Sequence, residues 1–379
     1  MTASPAEQPG RLAEAVRYFL TLGFIAFGGP AAHIALMRRD LVQRRKWVTD
    51  QEFVDLLGIT NLIPGPNSTE MTMHLGAQRA GWRGLWLGGA ACILPAVAIV
   101  LVLAWAYVEY GDTPTGEALI YGIQPFILAV VAQAIWGLRT AAIKSWETAL
   151  LAVIVVGLAL IGVNEVILIL GAGFLMLLYR LARTSGAQGR QAALGLITFA
   201  TTPPGYSLLE LFLVFLKIGS VLYGSGYVLL AFLESDFVDS RGWLTEQQLV
   251  DAIAVGQFTP GPVFSSATFV GYVIDGVPGA SVATLGIFIP SFIFVNLTHP
   301  LIPRLRRSTW AAPFLDGVNA AALALMAVVT VTLGREVLDD WYTAGLFAVA
   351  AIVLVRFNPN SAWLVIAGAV AGFLHAAAT

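Results

Sequence analysis

The 379-residue chain carries 21 Lys and Arg against 23 Asp and Glu, a net charge near −2, and nothing in that balance suggests a nucleic-acid partner. Hydrophobic residues make up 58% of the chain and charged residues 12%, against about 25% charged in an ordinary soluble domain, which points to a membrane protein surrounded by lipid. The one cysteine, Cys92, excludes intramolecular disulfides and multi-cysteine metal centres, and no metal or cofactor is expected.

A helix that crosses the hydrocarbon needs about 20 mostly apolar residues. Runs that reach or approach this length lie at 13–37, 83–108, 117–138, 146–161 and 163–180, and again at 208–233, 279–299, 311–333, 341–355 and 360–376. No cleavable signal is expected ahead of the first run, since the opening residues are polar but not basic. The stretch 182–207, polar and containing Gly and Pro, reads as a cytoplasmic linker between a first half, 1–181, and a second, 208–379.

The halves are copies. Trp47–Pro66, WVTDQEFVDLLGITNLIPGP, aligns without a gap on Trp243–Pro262, WLTEQQLVDAIAVGQFTPGP. The match extends upstream, with Phe27-Gly28-Gly29-Pro30 on Tyr223-Gly224-Ser225-Gly226. After a one-residue slip it continues downstream, with Gly76, Gly81, Gly84 and Pro95 on Gly271, Gly276, Gly279 and Pro290.

Lys and Arg collect on the cytoplasmic side of a membrane protein. Arg38, Arg39, Arg44, Arg45 and Lys46 mark the loop after the first run as inside, whereas its counterpart, Glu234–Ser240, is acidic and reads as outside. Strict alternation from there places both termini outside and leaves Arg11, Arg17, Arg241 and Arg335 as exceptions, with Lys217 inside a run. Trp82, Trp105, Trp136, Trp146, Trp310 and Trp341 fall near run ends, as an interfacial belt requires. The expected fold is therefore an all-α membrane protein of two inverted-topology repeats, each about five transmembrane helices plus a re-entrant hairpin. Such repeats are typical of secondary transporters, with the substrate site near mid-membrane.

The hairpins are expected at 50–79 and 246–275. Thr49 with Glu52, and Thr245 with Gln248, form capping-box patterns. A helix starting there meets Pro64 or Pro260 after about 21 Å, short of the ~30 Å hydrocarbon. Pro64-Gly65-Pro66 and Pro260-Gly261-Pro262 cannot continue it, because each ring removes a donor and clashes with the preceding turn. A second helix restarts after each, with Asn67 as cap in the first. The helix N-termini so placed attract anions. Asn67, Ser68 and Thr69 at one tip, Ser265 and Ser266 at the other, and the amides around Gly28, Gly29, Gly65, Gly224, Ser225, Gly226 and Gly261 supply neutral donors. Lys217 is a candidate counter-charge, or else one member of a structural ion pair. Glu70 is a candidate proton-carrying carboxylate, or the end of a capping box begun at Asn67. His74, one turn on, could pass protons to it or simply pack. A set of neutral donors with one cation suits a small oxyanion.

These residues resemble a known family. FGGPAAHIALMRRD, LIPGPNSTEMTMHLG, GSVLYGSGYVLLAFLE, WLTEQQLVDAIAVGQFTPGP and GASVATLGIFIPSF look like the paired motifs of the chromate ion transporter family. The terminal runs of each half carry only hydropathy, and the second tip has Val263-Phe264 where the first has Asn67-Ser68. The resemblance implies export of chromate across the cytoplasmic (inner) membrane, giving chromate resistance, with sulfate as a similar competitor and the proton motive force as energy source. Lipid surrounds such a protein, a homodimer would be unsurprising, and no motif of a membrane-embedded enzyme is present: HExxH is absent.

Overall fold

The computed structural model describes residues 9–26, 29–111, 113–184, 207–223, 228–301, 311–357, 359 and 361–378. The first half consists of α1 (Pro9–Ile25), α2 (Gly29–Met37), α3 (Asp50–Thr60), α4 (Asn67–Tyr110), α5 (Pro114–Ala142), α6 (Trp146–Leu160) and α7 (Glu165–Thr184). The second consists of α8 (Leu208–Val221), α9 (Leu229–Leu233), α10 (Glu246–Phe258), α11 (Ser266–Thr298), α12 (Ala311–Val337), α13 (Trp341–Phe357) and α14 (Ser361–Ala378). No strand occurs among the described residues. Among the described residues, five helical segments are long and apolar enough to cross a membrane: they fall in α4, α5, α7 and α12 and across α11. Large apolar side chains such as Val153, Leu160, Ile161, Val355, Phe357 and Trp363 stand exposed, as a lipid-facing surface requires. Most of the linker 182–207 lies outside the described residues.

The runs 13–37 and 208–233, expected as single spans, are each broken and doubled back. α1 ends at Ile25 and α2 begins at Gly29, and a π-helical stretch, Arg38–Arg44, then carries the chain back to where it started. There Arg45 lies 3.1 Å from Glu14 and over the Tyr18 ring, and Tyr18 meets Trp47 edge-on at 5.7 Å. Arg79 reaches the same Glu14 at 2.5 Å. The second half repeats the arrangement, with Arg241 3.0 Å from Glu210 and stacked on Trp243. Glu14, Arg45 and Trp47 are the repeat equivalents of Glu210, Arg241 and Trp243. The break follows from Gly28-Gly29-Pro30, where a proline ring and two glycines disfavour continuation. Cysteines placed at Ala13 and Gln43 are accordingly expected to react with an impermeant reagent from the same side of the membrane; labelling from opposite sides would restore the single span.

α4 is also two helices. Ala80 and Gly81 leave helical geometry, Gly81 with φ of 62°. Beyond them the chain folds back so closely that a methyl on Gly76 would overlap the Gly84 carbonyl. In a straight helix those residues would be about 12 Å apart. Asp275 and Gly276 make the same turn in α11, bringing Gly271 against Gly279. The short first segments of α4 and α11 thus pair with α3 and α10, and the long second segments run on beyond them.

Contacts between helices come in matched sets. α1 packs on α4 as α8 packs on α11; α5 takes α13 and α14 as α12 takes α6 and α7; α4 meets α11 and α5 meets α12. Each half therefore lays its last two helices against the other half. Small residues permit the approach: a methyl on Gly122 of α5 would overlap the Gly368 carbonyl of α14, and one on Gly317 of α12 would overlap the Ala172 carbonyl of α7. The long segments of α4 and α11 run antiparallel. Trp86, early in one, stacks on Phe292, late in the other, at 4.9 Å, while Tyr107, late in the first, contacts at 5.0 Å Phe269 of the short segment of α11, which the Gly271–Gly279 approach lays beside the start of the long one.

Candidate functional site

The two Pro-Gly-Pro turns meet the core of the molecule from different halves. Both capping boxes form, Thr49 with Glu52 and Thr245 with Gln248, and start α3 and α10. α3 spans 11 residues and α10 spans 13, about 16 and 20 Å. Each turn then seats its glycine on the broken helix of the other half. Gly65 donates its N–H to the Leu222 carbonyl at 2.7 Å, just past α8, and Gly261 donates to the Ala26 carbonyl at 3.0 Å, just past α1. Donor and acceptor are repeat equivalents in both bonds. Gly65 has φ of 137° and Gly261 of 101°, values that favour glycine.

Around this shared frame the two tips differ in chemistry. At the first, Pro66 rather than Asn67 occupies the cap position of α4, and Asn67 instead donates to Asn61 Oδ1 at 2.6 Å, tying the arms together. The amides of Thr69 and Glu70 bond to the Pro66 carbonyl, while those of Asn67 and Ser68 begin the helix and have no carbonyl within it to use. Ser68, Thr69 and Glu70 are fully buried. Both carboxylate oxygens of Glu70, Thr69 Oγ1, Asn67 Oδ1 and Ser291 Oγ are buried without a hydrogen-bond partner. Glu70 thus closes no capping box. Its carboxylate and the Ser291 hydroxyl of α11 flank one face of Gly65, where a methyl would overlap both.

At the second tip the hydroxyls turn inward on their own chain. Ser265 donates to the Pro262 carbonyl at 2.8 Å and Ser266 to the Val263 carbonyl at 2.9 Å. Gly261 faces Ala96, whose Cβ lies 2.9 Å from where a methyl would be; Ala96 stands where the other half has Ser291. One crossing is polar and the other apolar. Among the described residues, the larger group of such polar atoms gathers at the first tip, and buried polar groups are seldom left so.

Lys217 stands in a cluster of charges. Its ammonium is 2.6 Å from Asp236 and 3.9 Å from Glu165, and Arg241 reaches Asp236 at 3.2 Å. Ser235 donates to Glu165 at 2.8 Å. Nothing near position 217 in the sequence signals this cluster, because Asp236 comes from beyond the helix break and Glu165 from the other half. The one signal available was the repeat itself, which pairs Asp236 with Asp40 and Arg241 with Arg45. Gly28, Gly224, Ser225 and Gly226 lie outside the described residues.

His74 is buried against His299, their Nδ1 atoms 3.0 Å apart and the rings stacked. Sequence reasoning did not find His299. Asp251 is also buried and accepts from Tyr107 at 2.8 Å and Gln124 at 3.0 Å, whereas its repeat equivalent Asp55 accepts from Gln51. Asp251 lines a cavity of about 330 Å³ between the halves, with Glu117, Tyr121, Gln247, Glu336 and Asp339. Beside its rim, Asp340 is held below the usual carboxylate range by the Tyr121 hydroxyl and then by the Thr343 amide.

Two half-chains of matching helices, breaks and tips, wrapped around a buried polar point, define a polytopic membrane protein with the makings of a solute site. The chain matches the chromate transporter family twice, over residues 13–177 and 209–373, and it belongs to that family. It is 32% identical over 371 residues to the chromate transport protein of Cupriavidus metallidurans, covering 94% of this chain and 91% of that one. It is 34% identical over 355 residues to a probable chromate transport protein of Synechococcus elongatus, covering 91% and 89%. A chromate transport protein of Pseudomonas aeruginosa is 32% identical over 337 residues, covering 84% and 80%. No solved structure matches.

Proposed function

We propose that this chain is a secondary transporter that exports chromate, a tetrahedral dianion, across the cytoplasmic membrane by alternating access, and that it is not an enzyme. In this reading the halves, 1–181 and 208–379, insert in opposite orientations, and the helix pairs 50–79 and 246–275 are re-entrant hairpins whose tips meet at mid-membrane. The antiparallel long segments of α4 and α11 and the reciprocal Gly65–Leu222 and Gly261–Ala26 bonds support it. The loop Arg38–Lys46 is taken as inside, and the ion pairs of Glu14 with Arg45 and Arg79 then bring the start of α1 inside too. That revises the outside N-terminus and removes Arg11 and Arg17 from the exceptions; the C-terminus stays outside, and the stretch 182–207, expected as a cytoplasmic linker, then has to join an inner end of α7 at Arg183 to an outer start of α8 at Glu210.

The observation that carries the reading is the buried, unpartnered set at the first tip: Glu70, Thr69, Asn67 and Ser291. Asn67, Ser68 and Thr69 are assigned as anion donors, with the amides around Gly28, Gly29, Gly224, Ser225 and Gly226; Gly65 and Gly261, expected as donors, instead spend their N–H groups on Leu222 and Ala26, and Ser265 and Ser266 spend their hydroxyls on their own chain, so the second side is the weaker. Lys217 can join only by leaving Asp236. A charged Glu70 would repel a dianion at this place, whereas a protonated one adds a donor, so anion and proton occupancy are linked. Export needs little else to drive it: each negative charge leaving a negative interior gains about 2.3 kcal/mol per 100 mV.

The test is chromate flux into inside-out vesicles, with sulfate as competitor and an imposed pH gradient. Saturable, sulfate-sensitive uptake is expected, and Glu70→Gln is expected to remove the pH-driven component. Flux that rises in proportion to the gradient without saturating would make the protein an anion channel, and equal rates for sulfate would make it a general oxyanion transporter.

A further inference from the structure

The orphaned polar atoms continue away from the tip. His74 lies one turn beyond Glu70 on the same face of α4, with no exposed surface. Its Nε2 is buried without a partner. Its Nδ1 is 3.0 Å from the Nδ1 of His299. His299 begins the short turn His299–Leu301 that ends the long segment of α11; it is half-buried, and Pro300 and Leu301 beside it are exposed. Two like nitrogens at that distance require a single proton between them, one ring donating and the other presenting its lone pair.

We propose that His299, His74 and Glu70 form a proton path joining the first tip to the face of the molecule that carries Glu14, Arg45 and Arg79. The proposal rests on the reading of that tip as the transport site. His299 takes a proton on its exposed edge at Nε2 and passes the proton on Nδ1 to Nδ1 of His74. His74 releases its Nε2 proton to the Glu70 carboxylate, which becomes a neutral acid. Nothing is oxidised or reduced: a proton that Glu70 gives up to the opposite face leaves His299 protonated on Nε2 and His74 on Nδ1, and the rings must exchange those protons for the starting tautomers before the path loads again. A lone carboxylate buried this deeply is costly when charged, so it is a fitting terminus. Among the described residues, the titratable groups facing the path are Glu70 on α4, His299 from α11 and Tyr223, beside the break after α8 and within the field of Glu70. Arg79, further along α4, is engaged by Glu14 at 2.5 Å.

The decisive variant is His299→Asn, which places an amide where Nδ1 was and can keep the bond to His74, but cannot take a proton on one side and release it on the other. His299→Gln serves as a second variant should the first fold poorly. In proteoliposomes, chromate–chromate exchange at constant pH is expected to stay within twofold of wild type, while flux driven by an imposed pH gradient falls at least tenfold. A pH-driven flux that survives in either folded variant overturns the path. So does wild-type flux that responds to voltage and not to pH, which would leave the chromate reading intact. Absence of chromate exchange in wild type would instead sink the tip reading itself.

Discussion

Gly65→Ala is expected to abolish chromate transport while Gly58→Ala, seven residues before it in the first hairpin, leaves it unchanged. Gly65 has φ of 137°, a region that costs a residue with a Cβ about 1–3 kcal/mol. The new methyl would in addition overlap the Glu70 carboxylate and the Ser291 hydroxyl. Neither can move cheaply, since both are buried at the junction of the halves. The turn must then shift, and the Gly65–Leu222 bond that seats it on the other half goes with it. Gly58 has open space around it, and alanine there improves helix propensity by up to about 1 kcal/mol. Gly261→Ala should act in the same direction but less, because its methyl would meet the Ala96 methyl at 2.9 Å and the Gly23 carbonyl at 3.3 Å rather than two polar groups closer still. The measurement is initial flux per folded protein in vesicles, with expression and thermal stability as controls. A Gly65→Ala flux within twofold of wild type would mean that the tip is not the tightly seated point described above.

Asp236→Ala is expected to be the most destabilising single change in the charged cluster, costing about 3 kcal/mol. Its carboxylate receives both Lys217 and Arg241; removing it leaves Arg241 with Glu210 but Lys217 with only Glu165 at 3.9 Å, in a site where the Lys217 side chain keeps only 21% of its exposure. Removing Lys217 as well should recover part of the loss, the behaviour of a coupled pair in a double-mutant cycle. The same variants decide what Lys217 does. If Lys217→Ala chiefly lowers thermal stability and leaves the KM for chromate within about threefold, the lysine belongs to the ion-pair cluster. A tenfold rise in KM with unchanged stability would make it an anion ligand that exchanges Asp236 for substrate.

Much of this arrangement was readable from local pattern. Thr49 and Thr245 announce helix starts because a capping box needs only four consecutive residues. Pro64 and Pro260 announce the ends because a ring without an N–H breaks a helix wherever it falls. The duplication and the low charge content needed only the order of residues along the chain. The doubling-back of 13–37 was half legible. Gly28-Gly29-Pro30 marks a break, but hydropathy is the same whether the chain continues across or turns round. Only Glu14 beside Arg45 distinguishes the two. The terminal helices carried nothing but hydropathy, and the Gly122–Gly368 and Gly317–Ala172 approaches show that the duplication extends through them.

The sequence by itself determined the class of the protein, its two copies and the positions where helices must stop, since composition and proline act locally. Tertiary structure alone decided that each tip rests on the other half, that Lys217 is held by Asp236, that His299 reaches His74, and that only the first crossing is polar. Those are contacts between residues far apart in the chain, chosen by how two similar surfaces interlock. A repeat that predicts equal tips cannot reveal that Ser291 stands at one and Ala96 at the other until both are seen beside their glycines.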